Sequence, residues 1–75
     1  MVSLDKVNAG QKVVVAEIKG DTRFQNRITS IGLTLGCEIE MLYNEKKLPL
    51  LFYGRDTVVA LNRKEGKDVF VEVMS

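Results

Sequence analysis

The sequence predicts a mainly β domain: a small, strongly bent antiparallel barrel of five strands, with one short helix between the first and second. Three observations predict it. Five short apolar stretches, rich in β-branched and aromatic residues, alternate with glycine, proline or polar turns. A single segment, Asp21 to Cys37, carries a helical period instead. The 75 residues show no internal repeat, linker or low-complexity run, so residues 1–75 form one domain.

Ser3 to Gly10 is a turn-like lead-in with a cap at Ser3 and Leu4 tucked into the core. Lys12 to Lys19, KVVVAEIK, is the first strand, bounded by Gly10 and Gly20. Val13 and Val15 point to one side and Val14 and Ala16 to the other, which calls either for part of the outer face to be covered as well or for a bend near Glu17 that turns Ile18 inward.

The helix follows. Thr22 and Gln25 form a capping-box pattern, and Asp21 adds negative charge at the positive end of the helix. Phe24, Ile28 and Ile31 make one apolar stripe, leaving Arg23, Gln25, Asn26, Arg27 and Ser30 on the wetter sides. Gly32 takes the left-handed conformation beyond the last turn, and Leu33 reaches back toward Ile28 in a Schellman ending. The helix is thus about ten residues long. Thr34 to Cys37 then forms a type II turn with Gly36 at its positive-φ position.

Glu38 to Tyr43 alternates, with Ile39, Met41 and Tyr43 on one face, and is the second strand. Asn44 to Lys47 is a polar hairpin loop. Leu48 to Tyr53, with Pro49 at its mouth, is the third strand and is placed at an edge. Gly54 to Asp56 turns the chain into the fourth strand, Thr57 to Leu61. Asn62 to Gly66 is one helical turn or a tight loop, and Asp68 to Val73 is the fifth strand, with Val69, Val71 and Val73 inward. A closed barrel of the SH3-like kind leaves fewer edges to protect than an open meander does.

Composition narrows the chemistry. With 45% hydrophobic and 28% charged residues the chain is ordinary for a globular domain, and a net charge of +1 gives no field that would gather nucleic acid or an acidic membrane. The lone cysteine and the absence of a signal-like N-terminus or a 20-residue apolar run indicate a soluble protein of the reducing cytoplasm, linked to a membrane only through another protein. There is no histidine, and Cys37 has no ligand or base beside it, so no zinc site and no Cys/His nucleophile can be assembled. Glu38, Glu40 and Glu45 are spaced as a solvated face, and Gly32 and Gly36 serve the helix stop and the turn rather than a phosphate loop. No catalytic, cofactor-binding or metal-binding residue is expected.

Interaction is the remaining chemistry. Leu48, Leu50, Leu51, Phe52 and Tyr53 cannot all point into so small a core, so part of this strip is available to a partner. Arg23 and Arg27 stand at i and i+4 on the polar helix face, where an acidic partner surface could engage them, and Lys46, Lys47, Arg55, Arg63 and Lys64 add charge in loops. The expected partner-binding set is Arg23, Arg27, Leu48, Leu50, Phe52 and Tyr53. An alternative is a regulatory barrel that binds a peptide, or nucleic acid through Tyr43, Phe52, Tyr53 and Phe70.

From Leu4 to Val73 the chain resembles the ferrous iron transport protein A (FeoA) family. The resemblance rests on the leading leucine and Gly10, on RITSIGLTLG from Arg27 to Gly36, on Pro49, on Ala60-Leu61 before Arg63-Lys64-Glu65, and on the Val-rich last strand. It departs at Ala9 and Leu35, where the family often has proline, and at Asn62 and Gly66, where arginine and alanine are frequent. The resemblance implies a non-catalytic accessory protein acting on the cytoplasmic GTP-binding part of the ferrous iron transporter, which itself handles the iron. Weak self-association is a further expectation.

Overall fold

The computed structural model describes residues 1–74. Its strands are β1 (Val2–Ser3), β2 (Lys12–Ile18), β3 (Glu38–Tyr43), β4 (Leu50–Gly54), β5 (Thr57–Leu61) and β6 (Val69–Val73); its helices are α1 (Thr22–Ser30) and the single turn α2 (Arg63–Gly66). All neighbours are antiparallel, in the order β1-β6-β2-β3-β4-β5. The mainly β architecture with one short helix between the first two long strands is the one the sequence predicts.

One strand is added. Val2 and Ser3 lie opposite Val71 and Phe70, so the start of the lead-in is an extra strand on β6, too short to display an alternating pattern of its own. Beyond it Leu4 to Lys6 make a 3-10 turn that buries Leu4, as the lead-in reading requires. A second difference concerns the third predicted strand, which lies between β3 and β5 and is not an edge; Pro49 sits just before its first ladder residue.

Of the two readings of β2 it is the bend that forms: the register shifts between Val15 and Glu17, and Ile18 comes to lie opposite Val69, packed on the core. Val13 and Val15 are buried. A similar shift in β3, between Met41 and Tyr43, has the opposite effect on expectation. Met41 is buried, but the extra residue at Leu42 breaks the alternation, and Tyr43 turns outward, 60% exposed. Along β6, Val69 and Val71 are buried, whereas Val73, the last strand residue and still paired with Val13, is exposed.

Helix α1 is held differently from the capping box. Asp21, not Thr22, is the N-cap: its carboxylate accepts a 2.9 Å bond from the Phe24 amide. Gln25 instead donates to the Ile18 and Gly20 carbonyls, tying the helix to the end of β2. The C-terminus is a Schellman motif, with Gly32 at φ 104°, its amide bonded to the Thr29 carbonyl and the Leu33 amide to that of Ile28. Ile28 and Leu33 are both buried, which seats the helix on the core. Asp21→Ala should lower stability by about 0.5–2 kcal/mol, read as a lower urea midpoint with an unchanged slope.

The type II turn forms as expected, with Cys37 N–H bonded to Thr34 C=O and Gly36 at φ 84°. It is bonded in turn to β2, through the Gly36 amide to Val15 and the Val15 amide to Cys37.

A candidate docking surface on the outer face of the sheet

Alternation along β3, β4 and β5 divides their side chains between the core and an outer face. Leu50, Phe52 and Leu61 go inward. On the outer face Tyr43 lies opposite Leu51 and Leu51 opposite Ala60, and next to them Tyr53 lies opposite Val58. With Leu48 just before β4, this face exposes Tyr43 at 60%, Leu48 at 56%, Val58 at 53% and Tyr53 at 42%. Such a contiguous apolar strip is the kind of surface that a partner covers. Between the hairpin loop and the strands it folds into a cleft of about 310 Å³ lined by Tyr43, Glu45, Leu48, Pro49, Leu51 and Ala60.

The loop that forms one wall is fixed by polar side chains. Asn44 Nδ2 donates to the carbonyls of Asp5 (3.0 Å) and Val7 (2.6 Å). Arg63, from α2, donates through Nη1 to the carbonyls of Glu45 (2.8 Å) and Leu48 (3.1 Å) and through Nη2 to Asn44 Oδ1. The guanidinium fork suits this task because it satisfies several acceptors from one rigid plane. Arg63 is thus a clamp and not a free loop charge, and its position on α2 is set by Asn62, whose side chain caps that turn at the Glu65 amide.

The expected partner-binding residues separate in the structure. Leu48 lines the cleft, and Tyr53 is exposed on the same face. Leu50 and Phe52 do not belong to a surface: they are 0% and 1% exposed, because in β4 they occupy the alternate positions that face the core. Arg23 is exposed on α1. Arg27 forms an ion pair with Glu65 of α2, whose side chain is only 14% exposed. Neither arginine lines the cleft. The sequence reading missed Tyr43 and Ala60 as cleft residues and Asn44 and Arg63 as the groups that shape it. The bulge at Leu42 is the missing signal, since without it Tyr43 reads as a core residue.

The aromatic platform of the nucleic-acid alternative is reduced to Tyr43 and Tyr53. Phe52 is core, and Phe70 is half-buried beneath Lys19, whose Nζ stands 4.8 Å from the ring centroid.

A second, more polar cleft of about 280 Å³ lies around the β4–β5 turn, lined in part by Lys12, Glu38, Glu40, Arg55 and Asp56. Arg55 and Asp56 both adopt positive φ, 53° and 62°, the conformation of a type I′ turn, without the Asn-Gly pair that usually supports it. Tyr53 Oη donates to Asp56 Oδ1 at 3.2 Å and braces the turn. The phenol pKa is raised above its ordinary value, first by that hydrogen bond and then by the Asp56 charge. Among the described residues no group of three or more His, Cys, Asp or Glu side chains is placed to hold a metal ion. Cys37 is a half-buried free thiol packed against the core. No helix among the described residues is long and apolar enough to cross a membrane.

The family model described as the FeoA domain matches residues 2–73. Among solved structures the chain is similar to an iron uptake regulatory protein (FeoA), with a TM-score of 0.93 and 25% identity over 97% of each chain. It is also similar to the FeoA-like protein from Clostridium acetobutylicum, with a TM-score of 0.86 and 26% identity over 99% of this chain and 87% of that one. A manganese-dependent transcriptional repressor shares the fold at a TM-score of 0.90 and 19% identity, over 97% of this chain and 41% of the repressor. No curated protein matches the sequence.

Proposed function

The chain belongs to the FeoA domain family, and on that premise we propose that it serves ferrous iron uptake as a non-catalytic, cytoplasmic protein-binding module acting on the GTP-binding part of the ferrous iron transporter. The observation that carries the docking role is the apolar cleft of Tyr43, Leu48, Leu51 and Ala60 on the outer face of the sheet. A protein surface with an aliphatic or aromatic side chain to seat there would bury apolar area on both sides, at about 25 cal/mol per Å² removed from water. Glu45 at the rim and Lys46 and Lys47 beyond it offer polar contacts around an apolar centre, the usual anatomy of a protein interface.

The module needs no iron ligand of its own in this reading, since the transporter handles the ion. Arg27 enters it through shape: paired with Glu65, it fixes α1 to α2 and so supports the wall that Arg63 holds.

The test is a pull-down of the protein against the soluble GTP-binding domain of the transporter at physiological salt, with and without nucleotide. Saturable binding that Leu48→Asp weakens by about tenfold or more, with the fold intact, is the expected result. Binding that survives both Leu48→Asp and Tyr43→Ala would move the docking surface elsewhere. Absence of binding in every nucleotide state would remove the GTP-binding domain as the partner.

A further inference from the structure

The two edges of the sheet are built differently. At one, β1 is only two residues long and passes directly into the 3-10 turn, while the Met1 amine pairs with Glu72 at 3.7 Å. That edge is short and charged, the usual protection against pairing with another chain. At the other, β5 reads Thr57-Val58-Val59-Ala60-Leu61: five residues with no charge, no proline and no register shift.

The ladder shows which groups of β5 are free. The two-residue turn closes on Gly54 opposite Thr57, so Thr57, Val59 and Leu61 exchange hydrogen bonds with β4, and Val58 and Ala60 direct their N–H and C=O groups away from it. Among the described residues these outward groups have no backbone partner, and β5 has no sheet neighbour besides β4. Val58 is 53% exposed and Ala60 is exposed as well.

We propose that this edge pairs with a second copy of the chain, β5 against β5, antiparallel about a two-fold axis through Val59. Val58 then lies opposite the partner's Ala60 and Ala60 opposite the partner's Val58, and one N–H and one C=O from each residue on each copy make four new backbone bonds across the axis. Self-pairing meets no electrostatic opposition, and the two-fold match of Val58 to Ala60 needs no sequence but this one. An uncharged strand places no like charges opposite one another, and a net charge of +1 leaves the two copies with little mutual repulsion. Pairing also joins the outer faces of the two copies, bringing Val58 and Ala60 of one beside those of the other on a single apolar surface. A strand edge buries less than the roughly 1,200 Å² of a standard interface, so the dimer is a weak one, formed in the micromolar to millimolar range.

The edge shares Ala60 with the transporter cleft, but the cleft's other walls, Tyr43, Leu48 and Leu51, lie off β5, so self-association read with Val58→Lys and transporter binding read with Leu48→Asp fail separately. Sedimentation equilibrium on the full chain, from micromolar to millimolar concentration, should show a monomer–dimer equilibrium. Ala60→Pro removes an amide that the β4 ladder does not use, and Val58→Lys places like charges across the axis. Each should weaken the dimer by about tenfold or more with the circular dichroism spectrum unchanged. The Val58 and Ala60 amides of the native chain should gain protection from hydrogen exchange as concentration rises. A monomer throughout the range, or a dimer that both variants leave intact, would overturn the proposal. So would a native chain that stays monomeric while an added apolar peptide protects these two amides, which would give the edge to a different chain.

Discussion

Leu50→Asp unfolds the domain, whereas Leu48→Asp, two residues earlier, leaves its stability within about 0.5 kcal/mol. Leu50 is 0% exposed and its tip lies against the backbone of α2, so close that a Cβ added at Gly66 would stand 2.5 Å from Leu50 Cδ1. A carboxylate there must either give up its hydration or take up a proton, and the methyl groups that filled the site are lost. Together these cost several kcal/mol, against a total of about 4–11 kcal/mol for a chain of this length. At Leu48 the same carboxylate stays in water, since that side chain is 56% exposed. Urea unfolding of the pair decides it: no cooperative transition for Leu50→Asp and a near-native midpoint for Leu48→Asp. Two cooperative, equally stable proteins would refute the inward assignment of β4.

Arg63→Ala is expected to cost about 1.5–3 kcal/mol, a large effect for a residue on a one-turn helix. Its guanidinium serves the carbonyls of Glu45 and Leu48 and the side chain of Asn44, which in turn serves the carbonyls of Asp5 and Val7. Removing the fork releases the loop wall and loosens the 3-10 turn behind it. Arg63→Lys should recover only part of the loss, because a single ammonium cannot span the same acceptors. Urea midpoints would give the cost, and a cycle with Asn44→Ala should be strongly non-additive, since the two residues act through one network. Additive losses would show that Arg63 acts independently of Asn44.

The contrast between these residues explains what could be read from the sequence. The β-rich architecture, the single helix with its glycine stop and the type II turn are local matters, decided by patterns within a few residues, and each was legible; the bend in β2 was legible as one of two readings. The strip from Leu48 to Tyr53 was legible only as an excess of apolar residues. Which of them face out depends on the pairing of β4 with β3 and β5, a non-local fact. The alternation of β3 points Tyr43 inward, and a bulge reverses it without changing the composition. Asn44 and Arg63 read as ordinary loop residues, because the carbonyls they bind come from segments up to 39 positions away. Asp21 and Thr22 are both good caps, and only the backbone shows that Asp21 has the non-helical conformation that the cap requires.

The order of strands also governs when the fold can be completed. Strand β2 lies between β3 and β6, and its pairing with β6 joins Val13 to Val73, Val15 to Val71 and Ile18 to Val69. Most of the chain must therefore be looped out before the middle of the sheet exists, which places this domain among the slower two-state folders, on the scale of milliseconds to seconds. A nascent chain lacks the strand that closes β2 until Val69 to Val73 has left the ribosome, and until then the apolar residues of β2 have partners on one side only. The final residues of the sheet set the moment at which the nascent chain can become a stable domain.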